Sequence, residues 1–507
     1  MVFFEVCILI VTLGIIFVTT FFQWRYTYWK RRNVTYLPPR FPFGNYENTF
    51  ARKYSMGDWA KIFYDEFKNR GIKHAGLYIF LSPVYFLIEP QYIKNVLQND
   101  FGYFVNRGTY SNEKHDPLSA HMFNIGGQKW RDLRTKLTPT FTSGKMKMMF
   151  NTVLQCTIPV QEIMTRHCLD NKPIMIKEVI ARFTTDVIGS CAFGLDCNSF
   201  KSEDSAFRYH GRKIFDTKTM WYRFRRGLVT ICPTVARAFA ISILPKESTR
   251  FFLNVVKDTV KYRAENNIQR NDMLQILIEL QESNRNNGKP PLTIEEMAAQ
   301  AFVFFTAGYE TSSSVMSFCL YKLAKNMDIQ DKVREEINSI LRKYDGQINY
   351  DSIIDMKYTD QVIHETMRLY PSLTTLTREC VKSYSVPDTN VTIEKNTLVL
   401  IPVLGLHKDP TYFKDPEKFD PERFSAENIH KIKPFTYLPF GEGPRLCIGM
   451  RFGMMQMKVV LTCLLRDYSF SVNSRTKTPV LDKYAFVSTT EDPIWLDVKN
   501  IMCNDSN

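Results

Sequence analysis

Cysteine is scarce in this chain and follows no pattern. Eleven are scattered through 507 residues, an odd number, and no two sit in a C-x-x-C spacing. That excludes a disulfide framework and a paired-knuckle zinc site, and it points to a reducing compartment. Acidic residues are in deficit as well: 52 Asp and Glu face 66 Lys and Arg, for a net charge of +14. The excess favours acidic partners, anionic membrane surfaces or nucleic acid. No nucleic-acid recognition motif accompanies it, so no nucleic-acid partner is expected. Fixed-period repeats are absent, and 44% hydrophobic with 14% aromatic residues rules out a disordered chain.

What is present begins with a membrane signal. Val6 to Trp24 is nineteen residues without a charge, enough to cross a bilayer core of about 30 Å. A cleavable signal peptide carries positive charge ahead of its apolar run; here only Glu5 precedes it, while Arg25, Lys30, Arg31 and Arg32 follow. The positive-inside rule puts the start in the lumen and the remainder in the cytosol. Trp24, Tyr26, Tyr28 and Trp29 supply the interfacial aromatics. The sequons at Asn33, Asn390 and Asn504 are then expected to carry no glycan. Leu37 to Asn45 holds prolines 38, 39 and 42 and cannot be helix. The expected organisation is an anchor over 1–24, a basic, Pro-rich hinge over 25–44 and one large domain over 45–507.

The body reads as mainly α with a small β region. Leu77 to Leu81 and Val84 to Ile88 are β-rich runs split by Ser82-Pro83, which predicts a hairpin turning there. From about Gln91 to Leu341 helical patterns dominate. Thr293-Ile-Glu-Glu296 is a capping box opening a helix to about Lys325; its 32 residues span ~48 Å at 1.5 Å per residue. Gly308, Glu310, Thr311 and Ser312 to Ser314 would resist lipid, so a buried helix crossing the domain is expected rather than a second span. A further helix runs from Thr359 to Leu369, stopped by Pro371, and another follows Cys447.

Four constellations carry chemistry. In Phe440-Gly-Glu-Gly-Pro-Arg-Leu-Cys447-Ile-Gly449 a cysteine opens a helix, where unpaired N–H groups and the dipole favour its thiolate. Glycines 441, 443 and 449 let a flat cofactor approach the backbone. Gly441-x-Gly443 is no dinucleotide fingerprint, since Leu446 holds the third glycine position. Glu365-Thr-Met-Arg368 places a carboxylate and a guanidinium on one helix face; the same stretch is no H-E-x-x-H zinc motif, because Arg368 stands at the second histidine position. Ala307-Gly-Tyr-Glu310-Thr311 sets a glycine, costing about 1 kcal/mol in a helix interior, beside an acid and a hydroxyl. That weak spot predicts a helix opened to admit oxygen and a water. A threonine simply bonding back to the i−4 carbonyl is the plain alternative. The fourth is Trp130-Arg-Asp-Leu-Arg134.

W-x-x-x-R, the A-G-x-E-T segment, E-x-x-R and the frame F-x-x-G-x-R-x-C-x-G, in that order over 130–449, resemble the cytochromes P-450. The anchor and hinge resemble its microsomal class. Thr184 to Phe200, the cysteine loop and the AGYETSSS segment look like insect members of the detoxifying third clan, family six. The resemblance implies the cytochrome P-450 fold and haem b with the Cys447 thiolate as axial ligand. It makes Phe440 and Gly449 part of the ligand loop, and Trp130, Arg134, Arg378 and Arg445 the propionate-binding positions. It makes Glu310 and Thr311 an acid–alcohol pair for proton delivery, and Glu365, Arg368 and Arg423 a buried structural network. It further implies a monooxygenase of the endoplasmic reticulum membrane that places one oxygen atom from O2 into a small apolar substrate. No nicotinamide or flavin fingerprint is present, so the implied electron donor is NADPH–cytochrome P-450 reductase, with cytochrome b5 as an additional partner. Phe123, Val303, Phe304, Ala307 and Leu373 are the candidate pocket residues. Xenobiotic or plant-toxin metabolism, hydroxylation of an endogenous hormone or lipid, a peroxide-type isomerase and a non-catalytic haem or ligand binder stay open.

Overall fold

The computed structural model describes residues 2–47, 51, 53–202, 205–216, 219–288 and 290–501; the Asn504 sequon lies outside them. The apolar run at the start is a helix, α1 (Val2–Tyr26). Among the described residues it gives the one segment, Phe3–Arg32, long and apolar enough to cross a membrane, and none of its most apolar stretch is buried.

The first residues after it, in the stretch expected to be a hinge, pack against the body of the protein. Trp29 is fully buried, with its indole Nε1 donating to Leu77 O at 2.9 Å and its backbone N–H to the Tyr78 hydroxyl. Gly76 makes room for it: a Cβ there would fall 2.3 Å from the Trp29 ring. Arg32 pairs with Glu394, and Gly76 N–H donates to Thr35 O. A large aromatic just past α1 is worth more inside the sheet's core than in water, and that is the reason these residues pack on the body. Removing residues 1–24 should therefore leave folding intact, whereas Trp29→Ala in the full chain should cost about 3–5 kcal/mol. Thermal unfolding of the two solubilised proteins checks this; equal stability would mean that Trp29 merely rests on the surface.

Trp29 joins a sheet-centred core built on a four-stranded sheet. Its strands are β1 (His74–Ile79), β2 (Ser82–Leu87), β3 (Leu376–Glu379) and β4 (Leu398–Ile401), in the spatial order β1-β2-β4-β3. Only β2 and β4 run parallel. The hairpin exists, but it turns at Phe80-Leu81, where Phe80 takes a left-handed φ of 52°. Pro83 lies inside β2 opposite Tyr78, near the strand's start, where a missing N–H is tolerated.

The second and larger core is helical. Around the site it is framed by α2 (Gly127–Leu137), α3 (Ile176–Ile188), α4 (Ile294–Lys325), α5 (Lys357–Leu369) and α6 (Met450–Asp467). The α4 helix has the capping box, with Glu296 N–H donating to Thr293 Oγ1 and Thr293 N–H to Glu296 Oε2. It is buried along most of its length from Met297 to Ala324 and touches α3, α5 and α6. It is a core helix, as its polar middle requires. It also runs without interruption through Gly308. The glycine there answers to packing, since a Cβ would meet Ile188 Cδ1 of α3 at 2.3 Å.

Candidate active site

Between α4 and the loop leading into α6 lies a largely apolar cavity with an open mouth. One wall is Phe304, Ala307, Gly308, Thr311, Ser312 and Val315 of α4; the facing wall is Phe440, Cys447, Ile448 and Gly449 with Phe452 and Gln456 of α6. Phe304 stacks on Phe141 at 5.4 Å. Of the expected pocket residues, Phe304 and Ala307 line the void. Val303 does not; Phe123 sits under the Arg107 guanidinium, 4.1 Å from its ring centre, and Leu373 packs against the sheet core.

The cysteine loop is shaped by its glycines. Gly441 and Gly443 have left-handed φ of 74° and 71°, and a Cβ on Gly443 would collide with Leu97 O. Gly449 is different: it borders the void, and the nearest atom to a Cβ there is a Phe141 carbon at 4.0 Å. Its missing side chain leaves the cradle itself open. Cys447 does not open the helix directly. The helix begins at Met450 with Gly449 as its N-cap, and Cys447 is anchored by its N–H on Phe440 O at 3.0 Å. Burial raises the Cys447 thiol's pKa, and the Gly449 amide, Arg107 and Arg134 pull against that rise.

Beside the cavity is a cluster of guanidiniums, Arg107, Arg134, Arg378 and Arg445, that forms no ion pair with a carboxylate among the described residues. Arg445 donates to the carbonyls of Val105, Met122 and Ile125, and its guanidinium lies 3.9 Å over the Trp130 ring. Arg378 Nε and Arg107 Nε are buried without a partner. Burial and mutual repulsion depress three of them, Arg445 to about 8, Arg378 to about 9 and Arg107 to about 10, and burial lowers Arg134. Buried cations in this arrangement require an anion. A flat apolar group carrying two carboxylates, with a metal facing Cys447, satisfies the orphan donors, the open cradle and the thiol together. The residues present fit haem. Arg107 was invisible in the sequence, where it stands in no motif.

The acid and the alcohol of α4 diverge. Adjacent helical residues point about 100° apart, and only Thr311 borders the cavity. Its hydroxyl donates to Ala307 O at 2.5 Å, the plain i−4 arrangement. Glu310 is turned to α3, where Lys177 Nζ holds its Oε1 at 2.5 Å. The two side chains therefore serve different surroundings, Thr311 the cavity and Glu310 the α3 side.

Glu365 and Arg368 are both fully buried and pair bidentately at 2.7 and 2.8 Å. Asp420 N–H donates to Glu365 Oε1 at 2.9 Å. Arg423 stands 3.5 Å from the same oxygen but spends its Nη2 on Asp415 O. A link that no spacing announced joins this network to the cysteine loop. Arg368 Nη1 donates to His407 O, and the His407 ring bridges Arg368 O and the Leu438 N–H, at 3.2 and 2.8 Å. Burial and Arg368 push the His407 pKa down to about 3, so the ring is neutral and its Nε2 accepts from Leu438.

Comparison with known proteins agrees with this geometry. The family model described as Cytochrome P-450 matches residues 49–496. Probable cytochrome P-450 6a14 of Drosophila melanogaster is 43% identical over 490 residues, 94% of this chain and 96% of the relative. Cytochrome P-450 6A1 of Musca domestica is 40% identical over 487 residues, 95% of each. With an orphaned arginine cluster, a cradled cysteine and an apolar void already joined in one site, these matches show that the chain belongs to the cytochrome P-450 family, monooxygenases that carry haem b on a cysteine thiolate.

Proposed function

We propose that the protein inserts one oxygen atom from O2 into a bulky apolar compound, with electrons passed from NADPH by cytochrome P-450 reductase and cytochrome b5 as an additional donor. The observation that carries this reading is that Cys447 and Thr311 face one another across a single, almost wholly apolar cavity. Haem, when bound, supplies the activation of dioxygen. The chain's own residues do the rest. Cys447 would hold the iron, and Arg107, Arg134, Arg378 and Arg445 would neutralise the propionates. The apolar lining excludes water from the reacting centre. Thr311, its proton committed to Ala307 O, presents acceptor lone pairs to the cavity. Glu310 is the acidic end of a proton path whose outer end is Lys177, about one-quarter exposed.

The family-six names of its relatives and an aromatic, methionine-bearing lining favour xenobiotic substrates of varied shape. The reading places the protein in the endoplasmic reticulum membrane, with α1 spanning, the N-terminus lumenal and the catalytic body cytosolic. Turnover of a panel of plant toxins, insecticides and endogenous hormones by the reconstituted enzyme tests it. Product formed equally well without reductase and NADPH would overturn it, as would glycan on Asn33 or Asn390 for the orientation.

Thr311→Ala should leave haem content and substrate affinity unchanged while product formed per NADPH falls by about tenfold or more, the electrons appearing as peroxide. Unaltered coupling would show that this hydroxyl only caps its own helix turn.

A further inference from the structure

One polar pair in the cavity wall takes no part in the chemistry above. Gln456 of α6 is fully buried, and its Nε2 donates to Ser312 Oγ of α4 at 2.5 Å. The bond leaves three valences unanswered. Gln456 Oε1 is buried and has no hydrogen-bond partner. Ser312 accepts from Gln456, and its own proton has no acceptor among the described residues. Thr311, the next residue, keeps acceptor capacity after donating to Ala307 O.

All three residues border the same void. A bare buried amide oxygen is costly, and a buried water is held by about three polar partners of this kind. We propose that Gln456 and Ser312 hold an ordered water beside Thr311. The water accepts from the Ser312 hydroxyl and donates to Gln456 Oε1 and Thr311 Oγ1. Gln456 is thereby a positioning residue: it acts on Thr311 through the water and touches no reacting atom. This rests on the reading of Thr311 as the proton-handling hydroxyl.

The same groups explain why an amide is placed in so apolar a wall. A carboxylate there would bury an uncompensated charge, and an apolar side chain would leave Ser312 without a donor. The amide satisfies one hydroxyl and holds out an acceptor for a second molecule.

The test uses full-length holoenzyme with Gln456→Met, Ser312→Ala and Ser312→Thr. A crystal structure of the wild-type holoenzyme should show the water, and that of Gln456→Met should not. Gln456→Met and Ser312→Ala should keep the haem spectrum and substrate affinity, while the peroxide-to-product ratio rises roughly five- to tenfold, the change that losing one hydrogen bond carries. The solvent isotope effect on product formation should change with it. Ser312→Thr keeps the hydroxyl and should keep wild-type coupling. No water at this position in the wild type would overturn the proposal, as would unchanged coupling in both Gln456→Met and Ser312→Ala. Thr311→Ala separates the two readings. If it uncouples and those variants do not, the water's role alone falls; if Thr311→Ala itself stays coupled, the role of Thr311 falls first.

Discussion

Cys447→Ser should give a protein whose reduced carbon monoxide complex lacks the red-shifted Soret band of thiolate-ligated haem, while Cys191→Ser keeps it. Both cysteines border the cavity, so proximity alone does not choose between them. Electrostatics does. Burial raises the Cys191 thiol pKa strongly, and neighbouring thiol and carboxyl groups raise it further, so it stays protonated. Burial raises the Cys447 thiol as well, but there the Gly449 amide, Arg107 and Arg134 pull back toward the anion, and a bound iron would complete the deprotonation. Only the Cys447 loop also has the glycine cradle. Loss of the band should be complete, because a serine hydroxyl is a far weaker acid than a thiol and offers the iron no sulfur donor. Retention of the band in Cys447→Ser, or its loss in Cys191→Ser, would move the ligand to the other cysteine and undo the site described here.

The elements legible in the sequence were those with a local cause. The capping box at Thr293, the i, i+3 pair of Glu365 and Arg368, and the ten-residue cysteine frame each place their groups through neighbouring residues, and each is found in the structure. What was misread depends on distant partners. Ser82-Pro83 looks like a turn, yet β4 beside β2 draws it into a strand. The 25–44 stretch reads as a hinge because prolines 38, 39 and 42 exclude helix there. Nothing local reveals that Gly76, more than forty residues on, leaves a slot for Trp29. Gly308 suggested a weakened helix, while its cause is a side chain on α3. Arg107, Lys177, His407 and Gln456 share one property: each acquires its role only when another part of the chain arrives, so no spacing marks it.

Glu365→Ala and Arg368→Ala should each prevent folded holoprotein from accumulating. The pair has no exposure to solvent, so removing one partner leaves the other's charge buried and uncompensated, at a cost of about 3–5 kcal/mol. That is a third or more of the ~5–15 kcal/mol by which a typical domain is stable. The damage should reach the haem loop as well. Arg368 holds His407 O, and the His407 ring holds the Leu438 N–H two residues before Phe440. Loss of the guanidinium frees the first of these bonds, and a His407→Ala variant should loosen the loop while sparing the ion pair. The three variants therefore form a series: the two charge deletions yield little soluble protein, and His407→Ala yields folded protein that loses haem more readily on dilution. Glu365→Gln is the sharper control, since it preserves shape and removes only the charge; it too should fail, because Arg368 would remain buried without a counter-ion. Well-folded holoprotein from Glu365→Ala or Arg368→Ala, with a normal carbon monoxide spectrum, would show that the pair is expendable and that the loop is held by its own turns.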